Sequence, residues 1–207
     1  MKLYDYVLSG NCYKIRLLLT FLGQEYEPQP VDFFPGKEHK SDAFLKINPL
    51  GQLPVLEDEG QVICDAQAIL VYLAENYDDA GDWWPKDALT RGKIAQWLAF
   101  ADGLTATSSA ARLHDMLNYD LDVVTARNGA HRLFRVMEDY LSHQEFAGQD
   151  WLVGSKPSIA DIACFPYTAL AEDGGIDLFL YPAIQRWVRR FAQLPGFINM
   201  PGINMMP

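Results

Sequence analysis

The spacing of apolar and polar positions divides this 207-residue chain into two halves. Residues 2–8 are short and rich in Tyr, Val and Leu, and predict a strand. Residues 13–22 carry Ile15, Leu17, Leu18, Leu19, Phe21 and Leu22 and stop at Gly23, which predicts a buried helix with a glycine end. A second strand is predicted over 25–31 and a short helix or turn over 41–47. Residues 54–57 and 61–64 predict a hairpin across Asp58-Glu59-Gly60, and 66–76 a further helix. The order β-α-β-α-β-β-α implies a small mixed sheet with helical cover.

Beyond Tyr77 the pattern changes. Residues 78–82 are polar, with Trp83-Trp84-Pro85 docking after them. Downstream, 86–117, 121–142, 159–170 and 182–193 are all helical in pattern, and no strand, internal repeat or low-complexity tract interrupts them. We therefore expect an α/β domain over 1–77, a linker over 78–85 and an all-α domain over 86–207. Ser158-Ile159-Ala160-Asp161 reads as a capping box with Asp replacing the usual Glu, flanked by Pro157 and Ile162 at the staple positions. Its role is structural, worth roughly 1 kcal/mol.

Composition narrows the chemistry. A hydrophobic content of 49% is enough for a real core. The net charge of −10, from 27 acidic and 17 basic residues, argues against non-specific nucleic-acid binding and against adhesion to anionic membranes. A pocket can still be locally positive. Cys12, Cys64 and Cys164 have neither zinc spacing nor the numbers for a disulfide framework, so we expect no metal and a reducing, cytoplasmic setting. The N-terminus enters a strand at once without a signal peptide, and no apolar run is long enough to span a bilayer.

The most informative segment is Asn48-Pro49-Leu50-Gly51-Gln52-Leu53-Pro54. A proline that opens a strand cannot donate to the ladder, so Pro54 marks a special backbone site or simply begins an edge strand. Soon after it, Asp65-Ala66 opens a helix whose first amides have no intrahelical partner and suit an anion. Together these features predict a pocket edge for a peptide-like anionic ligand.

In their order and spacing these residues resemble the cytosolic glutathione S-transferase family over the whole chain. The likeness is closest to bacterial members of the serine type (theta-, delta-, phi- or nu-like). The resemblance implies a thioredoxin-like first domain followed by a helical bundle. It also implies a homodimer that binds glutathione as co-substrate without another cofactor, attacks a small hydrophobic electrophile, and holds Pro54 in the cis form. The backbone N–H and C=O of Leu53 would then pair with the cysteinyl unit of glutathione, as in strand addition, with Gln52 contacting the cysteinyl or γ-glutamyl part.

Within that resemblance, Ser9-Gly10-Asn11-Cys12 occupies the place where thioredoxin-like folds carry a Cys-x-x-Cys pair. Serine in the first position excludes a dithiol mechanism through this pair. It leaves a hydroxyl beside a helix N-terminus, able to hydrogen-bond a thiolate and lower the thiol's pKa, or to act as an N-cap. Ser9 matches the family's catalytic serine, and Asn11 matches an asparagine of some bacterial members. Cys12 is a rival nucleophile that would form a mixed disulfide, although its place in the first helical turn points it inward. His39-Lys40 matches the basic pair that holds the glycine carboxylate; the plain alternative for Lys40 is a solvated loop charge.

Asp65-Ala66 departs from the usual acidic-Ser pair. Asp65 remains able to take the ligand ammonium or to cap its helix. Ala66 keeps its backbone N–H but lacks the hydroxyl, a loss of about 0.5–1.5 kcal/mol. Asp102 would reach a partner's glutathione ammonium. The implied activity is conjugation of glutathione to an electrophile. The alternatives are a glutathione-dependent disulfide reductase or peroxidase, and a non-catalytic binding or regulatory protein. The Met-rich tail, 199–207, would either cover the site or move freely.

Overall fold

The computed structural model describes residues 1–203. Strand β1 (Lys2–Asp5) leads to helix α1 (Gly10–Phe21), then to strand β2 (Glu27–Pro30) and the single turn α2 (Asp42–Leu45). Strands β3 (Val55–Asp58) and β4 (Gln61–Cys64) form a hairpin, followed by helix α3 (Ala66–Tyr77). The sheet runs β2-β1-β3-β4, parallel between β1 and β2 and antiparallel elsewhere. Glu59 and Gly60 both take positive φ at the hairpin tip, where Val55–Asp58 pairs with Gln61–Cys64.

Several boundaries differ from the sequence reading: α1 starts at Gly10 rather than residue 13, the helix expected over 121–142 runs to Phe146, and two strands are shorter than expected. β1 ends at Asp5 rather than residue 8, because the Ser9 N–H turns back onto the Tyr6 carbonyl at 2.9 Å. β2 is shorter than 25–31: it carries Pro28 and Pro30, which lack N–H donors, and it lies at the sheet edge where prolines are tolerated.

The second half is helical: α4 (Ala88–Leu104), α5 (Ala110–Leu117), α6 (Val123–Phe146), α7 (Ile159–Ala169) and α8 (Pro182–Ala192). The predicted rod over 86–117 is continuous but changes register at a π-helical turn, Thr105–Ser109. Such turns commonly re-aim side chains at functional sites. The capping box forms as read. The Asp161 carboxylate accepts the Ser158 N–H at 2.9 Å, the Leu152 N–H at 3.1 Å and the Trp187 indole N–H at 2.9 Å. One core joins the two halves. Tyr13, Ile15, Leu17 and Leu18 of α1 are buried with Ile94, Ile162, Phe165 and Phe191 of the helical half. No described helix is long and apolar enough to cross a membrane.

The start of the tail belongs to this core. Met200 and Ile203 are buried, and the Tyr13 phenol donates to the Ile198 carbonyl. Residues 204–207 of the tail lie outside the described residues.

Candidate active site

A cavity of about 540 Å³ opens between the first half and the α4–α5 rod. All nine residues singled out from the sequence line it: Ser9, Asn11, His39, Lys40, Gln52, Leu53, Pro54, Asp65 and Ala66. They come from four segments separated by as many as 57 positions in the chain, so the fold alone brings them together.

Ser9 is the N-cap of α1: its Oγ accepts the Cys12 N–H at 3.2 Å. Its own O–H remains available to an acceptor in the cavity. The Asn11 backbone N–H is taken by the Tyr167 phenol at 3.1 Å, while the Asn11 side-chain Oδ1 is buried without a hydrogen-bond partner. Cys12 is fully buried and absent from the cavity wall. Burial, with the Asp5 charge adding to it, pushes its thiol up to about 12. A thiol so rarely ionised makes a poor nucleophile, which argues against the rival reading of Cys12.

The loop 48–54 is held from within. Asn48 Nδ2 donates to the Gln52 carbonyl at 2.9 Å, and Asn48 Oδ1 accepts the Leu50 N–H at 3.1 Å. Gly51 takes φ +57, and a Cβ there would lie 2.7 Å from the His39 carbonyl oxygen, so glycine is required both for conformation and for space. The Leu53–Pro54 bond is cis, and Leu53 precedes Val55, the first ladder residue of β3. Leu53 therefore lies outside the strand ladder and lines the cavity.

The basic pair is arranged differently from its sequence appearance. Lys40 Nζ donates to the Leu50 and Gly51 carbonyls at 3.1 and 2.9 Å, tying the two loops together. His39 is buried and stacked on Phe33, with ring centroids 4.2 Å apart. Burial, then the charges of Lys40 and Lys37, lower its pKa, so the ring is neutral at physiological pH. Any positive charge from this pair is therefore that of Lys40.

At the other end, Asp65 accepts the Gln67 and Ala68 N–H groups at 2.9 and 3.0 Å and so caps α3, leaving the Ala66 N–H uncapped by that side chain. Asp102 of the same chain lines this end and accepts a hydrogen bond from Gln67 Nε2. Opposite, Leu113, Met116, Leu117 and Tyr119 make an apolar wall. Phe33 stacks with Tyr119 at 6.2 Å and packs at a tilt against Tyr6 at 5.3 Å.

The sequence matches the glutathione S-transferase N-terminal domain over residues 3–81 and the glutathione S-transferase C-terminal domain over 107–195. A solved structure described as a glutathione S-transferase from Pseudomonas fluorescens is 34% identical and superposes with a TM-score of 0.86, covering 97% of this chain and 98% of that one. The chain belongs to the glutathione S-transferase family.

Among curated relatives, a maleylacetoacetate isomerase of Pseudomonas aeruginosa is 29% identical, over 95% of this chain and 93% of its own. A glutathione transferase homolog from Lodderomyces elongisporus, with two GSH per subunit, is 28% identical with a TM-score of 0.81 and 94% coverage of both chains. These relatives support a glutathione-dependent enzyme activity, and the family takes glutathione as co-substrate without a further cofactor.

Sequence reasoning passed over Tyr167 and Arg112, which also line the cavity of this transferase fold. Arg112 Nε pairs with Asp173 at 2.9 Å and its Nη1 donates to the Leu8 carbonyl at 2.9 Å, clamping the loop before Ser9. Tyr167 sits on an almost wholly apolar helix. The one available signal was a hydroxyl on a face with no solvent to satisfy it.

Proposed function

We propose that this chain is a glutathione transferase of the serine type, in which Ser9 hydrogen-bonds the glutathione sulfur and the thiolate attacks a small apolar electrophile. The observation that carries the reading is the Ser9 hydroxyl. Its oxygen is engaged by the Cys12 N–H, and Ser9 lines a cavity that also holds Leu53, Asp65 and Ala66. Glutathione lies with its cysteinyl backbone along Leu53 and its γ-glutamyl carboxylate at the Ala66 N–H. Its ammonium is near Asp65 and Asp102, its glycine carboxylate near Lys40 and His39, and Gln52 contacts the cysteinyl or γ-glutamyl part.

A hydrogen bond to the charged form of the sulfur lowers the thiol pKa, so the S–H proton leaves to water and the sulfur keeps the electron pair. The cavity holds that nucleophile against an aromatic electrophile stacked by Phe33, Tyr6 and Tyr119. Asn11 completes the sulfur pocket. The reading includes homodimerisation and residence in a reducing cytoplasm, consistent with three unpaired thiols.

Replacing Ser9 with Ala tests this: conjugation of a chlorinated nitroaromatic should fall by 10-fold or more while calorimetric glutathione affinity changes little. An unaltered rate removes Ser9 from the mechanism. Absence of any binding heat in the parent protein would favour a non-catalytic role.

The same thiolate serves two other reactions. Isomerisation, the activity named for the Pseudomonas aeruginosa relative, ranks lower for an anionic second substrate, because Lys40 is assigned here to the glycine carboxylate and Arg112 is paired with Asp173. Disulfide or peroxide reduction is favoured by the relative that carries two GSH per subunit. Turnover of small disulfides well above that of chlorinated aromatics would promote it.

A further inference from the structure

Two hydroxyl oxygens meet the first turn of α1. Ser9 Oγ accepts the Cys12 N–H, and the Tyr167 phenol accepts the Asn11 N–H, at 3.2 and 3.1 Å. These are the orphan donors of a helix N-terminus, and an oxygen that accepts from them becomes a better donor through its own hydrogen. Both hydroxyl-bearing residues line the one cavity.

Tyr167 arrives from α7, 156 positions from Asn11 in the chain, and the first half of the molecule is shaped to receive it. A Cβ at Gly10 would lie 2.6 Å from Tyr167 Cε1 and 2.8 Å from Cζ, so the missing side chain is the space the ring fills. Lys14 Nζ stands 5.4 Å from the ring centroid, and Ser108 Oγ donates to the Tyr167 carbonyl at 2.6 Å. The phenol is held by packing on its ring, an amide on its oxygen and a hydroxyl on its backbone. Burial raises its pKa, opposed by the Ser109 hydroxyl, the Asn11 N–H and Arg112, so it stays protonated at neutral pH and acts as a donor.

We propose that Tyr167 is a second catalytic hydroxyl, donating to the sulfur of bound glutathione beside Ser9 and so holding the thiolate between the two halves of the molecule. This rests on the sulfur lying at the N-terminus of α1, as in the reading above. Tyr167 keeps its proton throughout: the S–H bond breaks, the proton goes to water and the electron pair stays on sulfur.

The test is an ultraviolet titration of the glutathione thiolate bound to the parent protein, Tyr167→Phe and Ser9→Ala, with affinity measured by calorimetry. Phenylalanine keeps the ring against Gly10, and matched thermal unfolding checks that the variant is folded. The Tyr167→Phe protein should bind glutathione within about threefold of the parent. Its thiol pKa should rise by about one unit, giving roughly a tenfold loss of conjugation rate below that pKa, recovered at higher pH. A purely structural tyrosine would not move the pH profile. If Ser9→Ala raises the thiol pKa and Tyr167→Phe leaves it unchanged, the second hydroxyl is refuted and the serine mechanism stands. If the parent protein shows no depressed thiol pKa, both fall together.

Discussion

Lys14 Nζ lies 3.4 Å from Gln67 Oε1, in a layer between α1 and α3 from which solvent is excluded. Gln67 passes the contact on, donating to Asp102 at the cavity rim. A buried ammonium is thereby joined through one amide to an acid of the site. Burial pulls Lys14 down to about 8, with Cys164, Asp102 and Asp65 acting in the opposite sense.

That relationship has a pH signature. The folded lysine holds its proton less tightly than the unfolded one, whose ordinary value is 10.5, so between about 8 and 10.5 the unfolded chain binds more protons. The cost of the buried charge is therefore full below about 8 and is relieved as pH rises. Lys14→Met should be more stable than the parent by roughly 1–3 kcal/mol at pH 7, with the difference shrinking toward pH 10. Denaturant midpoints at the two pH values measure this; a difference that does not vary with pH would contradict it.

Restoring the absent hydroxyl at the start of α3 should strengthen ligand binding. Ala66 lines the cavity and is buried, so Ala66→Ser places an Oγ beside the uncapped Ala66 N–H. One added hydrogen bond of about 0.5–1.5 kcal/mol corresponds to roughly a 2- to 10-fold tighter glutathione Kd by calorimetry. An unchanged Kd would place the γ-glutamyl carboxylate elsewhere.

Cys12 should be chemically silent. Its thiol is buried and pushed up to about 12, so Cys12→Ala should leave the conjugation rate within about twofold of the parent. Native protein treated with iodoacetamide should be labelled at the half-buried Cys64 before Cys12, as read by peptide mass spectrometry. Faster labelling at Cys12 would reopen its candidacy as a nucleophile.

Asp161 should be a stability residue without effect on the chemistry of the folded enzyme. Its carboxylate accepts three N–H groups, from Leu152, Ser158 and Trp187. Asp161→Ala leaves these buried donors unmet at roughly 1–3 kcal/mol each, so a loss of about 3 kcal/mol or more is expected in chemical denaturation. A loss below about 1 kcal/mol would show that water or a backbone shift replaces the carboxylate.

Much of this molecule was legible in one dimension because its signals are local. Gly23 ends α1, the Asp58-Glu59-Gly60 tip turns the hairpin, and Ser158 with Asp161 opens α7, each within a few residues. Of the nine proposed site residues, Ser9 and Asp65 cap helices and Pro54 immediately precedes a strand, which are local signals, whereas Asn11, His39, Lys40 and Gln52 came from the resemblance to the family. Strand limits were less visible, since β1 ends where the Ser9 amide turns back on Tyr6 and not where the apolar run stops. The neutrality of His39 and the tethering of Lys40 to Leu50 and Gly51 were hidden too, because a charge state depends on neighbours the sequence does not order in space.

The chain's own pattern determined its two-part organisation, its helix starts and the run of residues before Val55, all set by hydrogen bonds and dihedral limits within a few positions. Only tertiary packing decided that Tyr167 fills the space left by Gly10, that Arg112 holds the Leu8 carbonyl, and that Cys12 is sealed away. Those outcomes depend on excluded volume and desolvation between segments far apart in the chain, which no local pattern encodes.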